Sequence, residues 1–229
     1  MERQKVHSAL SRRLRLPAYS ISQTAELAQT RPQTRPQTVT RWFVGDHPVF
    51  ATAKEPRAAL SYLQLVEMAF ASSFRSLGVS LQRIRRAHDY LASVFKVEYP
   101  FAQLELKTDG LHIIKELEAS EERKSTGMIL ADRAGQEAWP PLISDRIAQF
   151  DHEVNLAMRW HPRGRQHPVV VDPRISFGAP VLESTGIATW VLRERFEAGE
   201  SLAEICDDFG VSRAKLKAAL QFEGLQAAA

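Results

Sequence analysis

The sequence predicts a mainly α protein with a minor β component. It would carry a winged helix-turn-helix and long helices in its N-terminal part, a small antiparallel β hairpin or ribbon in the middle, and a C-terminal tri-helical bundle. Three observations predict this. Apolar residues recur at steps of three and four through much of the 229-residue chain, the spacing of one helical face. Two apolar-rich runs flank Asp109-Gly110, a preferred pair for a tight hairpin. After residue 188, three short periodic blocks are separated by Gly199 and Gly210. The expected parts are residues 1–98, 99–166 and 167–229. The Pro- and Gly-punctuated run from His161 to Pro168 marks the last boundary.

Taken in order, residues 1–18 form a basic arm with Arg12, Arg13 and Arg15, read either as a phosphate-contacting tail or as a solvated terminus. In YSISQTAELAQ, Ile21, Ala25 and Ala28 fall on one helical face, with Ser22 as the expected N-cap. In PQTVTRWF, Val39, Trp42 and Phe43 turn inward, leaving Gln37, Thr38, Thr40 and Arg41 outward. Pro36 suits the first helical position, where its missing N–H costs nothing. A packed helix followed by an outwardly polar one fits a helix-turn-helix, whose second helix meets base edges near its N-terminus. The segment VGDHPVFATAKEP suits a hairpin or wing, with Lys54 and Arg57 at its far end.

A long helix is expected over about 57–77, with Leu60, Leu63, Val66, Phe70, Ser73 and Leu77 on its stripe and Gly78 ending it. The next begins after Ser80, with Leu81, Ile84, His88, Leu91 and Phe95 on one side and Arg83, Arg85 and Arg86 on the other. Each stripe fits either an intramolecular core or a dimer seam. The arginines fit either a solvated face or a phosphate contact. After the hairpin around Asp109-Gly110, Met128 to Leu130 could add a third strand. Leu142, Ile147, Phe150, Val154 and Met158 suggest one or two helices. The last block, after an extended VVVDPRISFGAPVLESTGI, gives helices over 188–198, 201–209 and 212–222. Ser201-x-x-Glu204 forms a capping box there, and Ser212 can cap the last helix.

Charge is unevenly distributed. Residues 1–96 hold 15 Lys and Arg against 6 Asp and Glu, a net +9; residues 97–229 hold 15 against 21, a net −6; together they give the +3 of the whole chain. A basic front half can neutralise phosphates and release counterions, the main source of nucleic-acid affinity. Residues 167–229 carry 6 basic and 9 acidic residues, so the formal charge of this module argues against DNA although its three helices are shaped like a helix-turn-helix. Phe177, Trp190 and Phe196 are read there either as partner or dimer anchors or as the module's own core.

Chemistry is not expected. The seven histidines show no metal-ligand spacing, and there is no nucleophile elbow, P-loop or dinucleotide fingerprint. No catalytic residue, metal or cofactor is therefore assigned, and an enzyme is the last choice. His161 and His167 share a loop near Asp172, where solvated histidines are the expectation, and Cys206 reads as a small core residue. No apolar run approaches the roughly 20 residues that span a bilayer, and the basic N-terminal stretch lacks a signal-like apolar core. With a single cysteine that excludes an internal disulfide, a cytoplasmic location is expected.

Two resemblances sharpen this. The region around TVTRW resembles the reading head of MerR-type winged helix-turn-helix regulators. One departure is that TRPQ occurs twice, at Thr30 to Gln33 and Thr34 to Gln37, lengthening the turn by about four residues. That costs little loop entropy but alters the expected angle between the helices. Residues 167–225 resemble the domain of unknown function four hundred and thirty-three, through Asp172-Pro173, Gly178-Ala179-Pro180, Gly186-Ile187 and the run from Ala198 to Ser212. The order of the two parts resembles VapB-like type II antitoxins. That resemblance implies a homodimer that binds operator DNA, autoregulates, and neutralises a PIN-domain ribonuclease toxin of the VapC kind. The outward face of the second helix and the basic residues around it give the candidate DNA contacts: Arg35, Gln37, Thr38, Thr40, Arg41, Lys54, Arg83 and Arg86. The alternative is a MerR-like transcriptional regulator without a toxin partner; a scaffolding protein stands third.

Overall fold

The computed structural model describes residues 12–28, 36–43, 59–103, 130–131, 137–138, 141–154 and 156–226. They are mostly helical, with one small four-stranded antiparallel sheet. Packing divides the chain into two compact units, Met1–Ala148 with His152–Ala157, and Gln149–Asp151 with Met158–Ala229.

The first unit is built on one buried helix. Helices α1 (Ile21–Leu27) and α2 (Pro36–Phe43) are followed by α3 (Tyr62–Ser76), α4 (Leu81–Phe95), α5 (Pro100–Gln103) and α6 (Pro141–Ala148). Every residue of α3 from Tyr62 to Phe74 is buried, as befits a helix packed on all sides; α1, α4, α5 and α6 all lie against it. It starts at Tyr62 and not at Arg57. Ser61 holds an extended backbone (φ −77°, ψ 168°) and accepts the Gln64 N–H, while the Ser61 N–H donates to Gln64 Oε1 at 2.8 Å. That reciprocal pair satisfies two otherwise orphaned donors and sets the boundary. Gly78 (φ +85°) follows the last turn in the left-handed conformation expected of it. Ser80 caps α4, also as expected.

Polar groups are packed into this core with partners. Glu67 on α3 accepts the Ala102 N–H of α5 through Oε1 at 3.0 Å, and His88 Nε2 of α4 lies 3.3 Å from its Oε2. Phe101 lies against Phe70, Phe74 and the edge of His88, with centroids 5.6–6.1 Å apart. Burial alone would depress the His88 pKa, but Glu67, and then Asp89, outweigh it and raise the imidazole above its ordinary value. Arg146 on α6 donates from Nε to Ser73 Oγ at 2.9 Å, and burial lowers its pKa to about 10. Arg15 pairs with Glu98 and lies 5.2 Å over the Tyr99 ring, so this arginine of the arm is tied to the fold. Burial, reinforced by Glu98, pushes the Tyr99 hydroxyl up to about 12.

Two expectations are corrected here. The N-cap of α1 is Ser20, not Ser22: the Ser20 hydroxyl accepts the Gln23 N–H and the Ser20 N–H donates to Gln23 Oε1 in return, a closed capping box. The stretch after Ala148 is not a further helix. Residues Phe150–Glu153 and Leu156–Trp160 are strands β3 and β4, and Val154 turns between them at φ +52°, 86% exposed. A short pair, β1 (Leu130–Ala131) with β2 (Glu137–Ala138), includes Leu130 of the expected third strand. The hairpin expected around Asp109-Gly110 and the wing over 44–56 lie outside the described residues.

The sheet runs β3-β4-β5-β6, with β5 (Val169–Val171) antiparallel to β4 and to β6 (Pro180–Leu182). His161 to Pro168, expected as a boundary, connects β4 to β5. In the second unit, β5 is buried on both faces, which explains its uninterrupted valines. Helices α7 (Thr189–Glu197), α8 (Leu202–Phe209) and α9 (Arg213–Phe222) follow. Val169, Leu182, Leu192, Ile205, Leu216 and Leu220 share one buried cluster, with Cys206 and Phe196 packed against it. Ser201 closes its capping box with Glu204, Gly210 (φ +61°) ends α8, and Ser212 accepts the Lys215 N–H to start α9.

The Asp172-Pro173-Arg174 run has a structural role in this unit. The fully buried Asp172 carboxylate accepts the Arg174 N–H and Nε at 2.9 Å each, Arg174 Nη2 at 2.7 Å and Arg159 Nε at 3.3 Å. Burial would raise its pKa, but the Arg174 bonds overcome this and hold the carboxyl below its usual range. His161 is not solvated: it is buried and 3.2 Å from Asp151, which also pairs with Arg165 at 2.6 Å.

Candidate nucleic-acid interface

The candidate surface begins with α1 and α2, which pack against each other. On α1, Thr24, Ala25 and Leu27 are buried. On α2, Val39 and Trp42 are buried, a step of three that seats one face of the helix. That leaves Gln37 and Arg41 exposed, one turn apart, with Thr40 half-buried beside them. Two hydrogen-bonding side chains and a hydroxyl therefore lie on one helical face, with the arginine in the last turn. Amide and guanidinium groups of this kind can each make bidentate hydrogen bonds to a purine edge.

A second cationic patch lies on α4. Ile84, Ala87, His88 and Leu91 are buried, so the helix presents Arg83 half-buried and Arg86 exposed, three residues apart on one face. The structure thus groups Gln37, Thr40 and Arg41 on α2, and Arg83 with Arg86 on α4. Arg35, Lys54 and the side chain of Thr38 lie outside the described residues.

The three aromatic positions in the second unit separate clearly. Phe196 is partly buried against the helical cluster and belongs to the module's core. Trp190 is 46% exposed and Phe177 83% exposed. Phe177 also has φ +55°, between Ser176 at +45° and Gly178 at +83°. A left-handed conformation is costly for a bulky residue. It is held here by the Ser176 hydroxyl, which donates to the Gly186 carbonyl at 3.1 Å, and by Ile175 packed on the Val170, Val181 and Ala188 cluster. The sign of φ at a non-glycine residue leaves no trace in composition or periodicity, so this feature was invisible in the sequence.

Among the described residues there is no group of three or more His, Cys, Asp or Glu side chains able to hold a metal, and no helix long and apolar enough to cross a membrane. Among the described residues these surfaces offer hydrogen-bond donors, cations and exposed aromatic rings.

Comparison with known proteins agrees with parts of this picture. Residues 169–222 match the family described as "Protein of unknown function (DUF433)". Across 220 residues the chain is 26% identical to a Mycobacterium tuberculosis protein named "Putative antitoxin VapB45", covering 92% of this chain and 89% of that protein. The fold is similar to the crystal structure of Rv2018 from Mycobacterium tuberculosis, with a TM-score of 0.76 and 26% identity, covering 90% of this chain and 98% of that one. The chain is therefore similar over most of its length to a protein named as a putative antitoxin.

Proposed function

We propose that this chain is the antitoxin of a type II toxin–antitoxin system. It neutralises a PIN-domain ribonuclease toxin of the VapC kind and binds its own operator DNA to autoregulate, as a cytoplasmic homodimer. The observation that carries the reading is the similarity to a named antitoxin along 92% of the chain, which reaches well beyond the C-terminal family match.

DNA binding is assigned to the front part, residues 1–98, as a MerR-like winged helix-turn-helix. Support comes from its net +9 over residues 1–96 and from the seated α2, whose Gln37, Thr40 and Arg41 share one face. Arg35, Thr38 and Lys54 complete the reading surface in this proposal, and Arg83 and Arg86 contact phosphate. A dimer would set two reading helices about one duplex turn apart. Residues 99–166 connect this part to the C-terminal module, residues 167–229, where Phe177 and Trp190 serve the protein partner or the dimer. Exposed aromatic rings suit that role because buried aromatics dominate interface energies.

The test is co-expression with the product of the neighbouring gene. The proposal expects a small protein with the spaced acidic residues of a PIN fold to co-elute with this chain through affinity and size-exclusion steps. Recovery of this chain alone, from cells that also express that protein in soluble form, would contradict it.

A further inference from the structure

The C-terminal module holds a second helix-turn-helix, and the formal charge of the module hides the charge of its outward face. Helices α8 and α9 are joined by Gly210, Val211 and Ser212, a three-residue turn. Gly210 takes the left-handed conformation, Val211 is buried in the shared cluster and Ser212 caps the second helix. A short turn containing glycine is the usual connection of this motif. α9 seats Leu216, Ala219 and Leu220 in the core. Its helical spacing then turns Arg213, Ala214, Lys217, Ala218 and Gln221 to the opposite face. Arg213, Ala214 and Gln221 are exposed, and Lys217 and Ala218 half-exposed.

The acids of the module are mostly occupied. Asp172, Glu183, Glu197, Glu200, Asp208 and Glu223, six of the nine acids between residues 167 and 229, are ion-paired with Arg159, Arg174, Arg193 or Arg195. Glu204 is engaged in the capping box of α8. Among the described residues, Arg213, Lys215 and Lys217 form no ion pair, and α9 carries no acid from Arg213 to Phe222. Beside its last turn, Arg163 lies 5.6 Å over the Phe222 ring and His167 packs on the same ring. Phe222 lies on the same helical row as Lys215, two turns away. The module is net acidic, yet the cations left uncompensated collect on the second helix of a helix-turn-helix. Alanines between them leave room for close approach, and Gln221 supplies an amide suited to an adenine edge.

We infer that α9 is a second duplex-DNA-contacting helix, docking its Arg213–Lys217–Gln221 face in a major groove. This inference does not depend on DNA contact by α2. Each of Arg213 and Lys217 contacts phosphate and Gln221 faces the base edges.

The test uses the full chain and a fluorescent duplex carrying its own promoter, with affinity measured against salt. The double variant R213A/K217A is expected to bind roughly 10- to 60-fold more weakly near 0.1 M salt, with the log–log salt slope less steep by about 1.8, since each phosphate contact contributes about 0.9. The charge-preserving R213K/K217R should retain most of the affinity, which separates lost charge from misfolding. Q221A should reduce the preference for promoter over random duplex. If R213A/K217A binds as the wild type does while R41A is weakened, this inference is overturned and the assignment of α2 stands. If R213A/K217A keeps its DNA affinity but loses the toxin or self-association, the face is a protein contact and the inference is overturned. If the wild type binds no duplex at low salt, this inference and the DNA part of the proposed function fall together.

Discussion

Arg41 and His88 show how differently two basic side chains can be used in one unit. Arg41 is exposed beside Gln37 on α2, so its removal should leave the fold intact. R41A is expected to lose about 1–3 kcal/mol of promoter affinity if the guanidinium reads a guanine, measured by fluorescence anisotropy; unchanged affinity would remove it from the interface. His88 faces inward and joins three helices: Glu67 from α3, the Phe101 ring from α5, and its own neighbour Asp89. Its pKa is raised in the folded state, so the native protein binds this proton more tightly than the unfolded chain. The stabilisation is therefore fully present below the unfolded value, about 6.5. It is lost as pH rises through the higher folded value. Imidazole titration by NMR should show the His88 pKa falling in E67Q. The stability gap between the wild type and H88Q should narrow between acidic and alkaline pH. A His88 pKa unmoved by E67Q would show that the carboxylate is not its main partner.

At the scale of elements, boundaries were legible where a side chain marks them. Ser80, Ser201 and Ser212 cap α4, α8 and α9 as expected, because a hydroxyl ahead of an apolar-periodic run meets the first free amides. The same rule separates Ser20 from Ser22 once the partner is required: Gln23 stands three residues after Ser20, completing a capping box. At α3 the box is buried, so S61A should cost toward the upper end of about 0.5–2 kcal/mol, read from urea unfolding. A change near zero would mean that packing alone sets the start of α3. The β3–β4 hairpin was misread because Phe150, Val154 and Met158 stand four residues apart, a spacing that fits both a helix and a two-residue period. Within Leu156–Trp160 the adjacent Ala157 and Met158 are buried together with Trp160, so no clean alternation marked this run as a strand. The Phe150 ring stacked on Trp160 at 5.4 Å makes the strand pairing coherent. Phe196 read either as core or as anchor; three-dimensional packing assigns it to the core.

For the whole molecule, the charge asymmetry was plain in the sequence, but pairing decides which charges face outward. Arg15 belongs to Glu98 and Tyr99, whereas α9 keeps its cations uncompensated inside an acidic module. Promoter binding should weaken steeply with salt, and R83A/R86A should flatten the log–log slope by about 1.8 if both arginines meet phosphate; a slope equal to wild type would make that face merely solvated. The central claim, however, is neutralisation of a toxin. The most direct measurement is the ribonuclease activity of the PIN-domain toxin proposed as its partner, titrated with this chain on an RNA substrate in a magnesium buffer. The account predicts that cleavage falls to background as the chain reaches a stoichiometric ratio with the enzyme, and undiminished cleavage in a large excess of folded chain would contradict it.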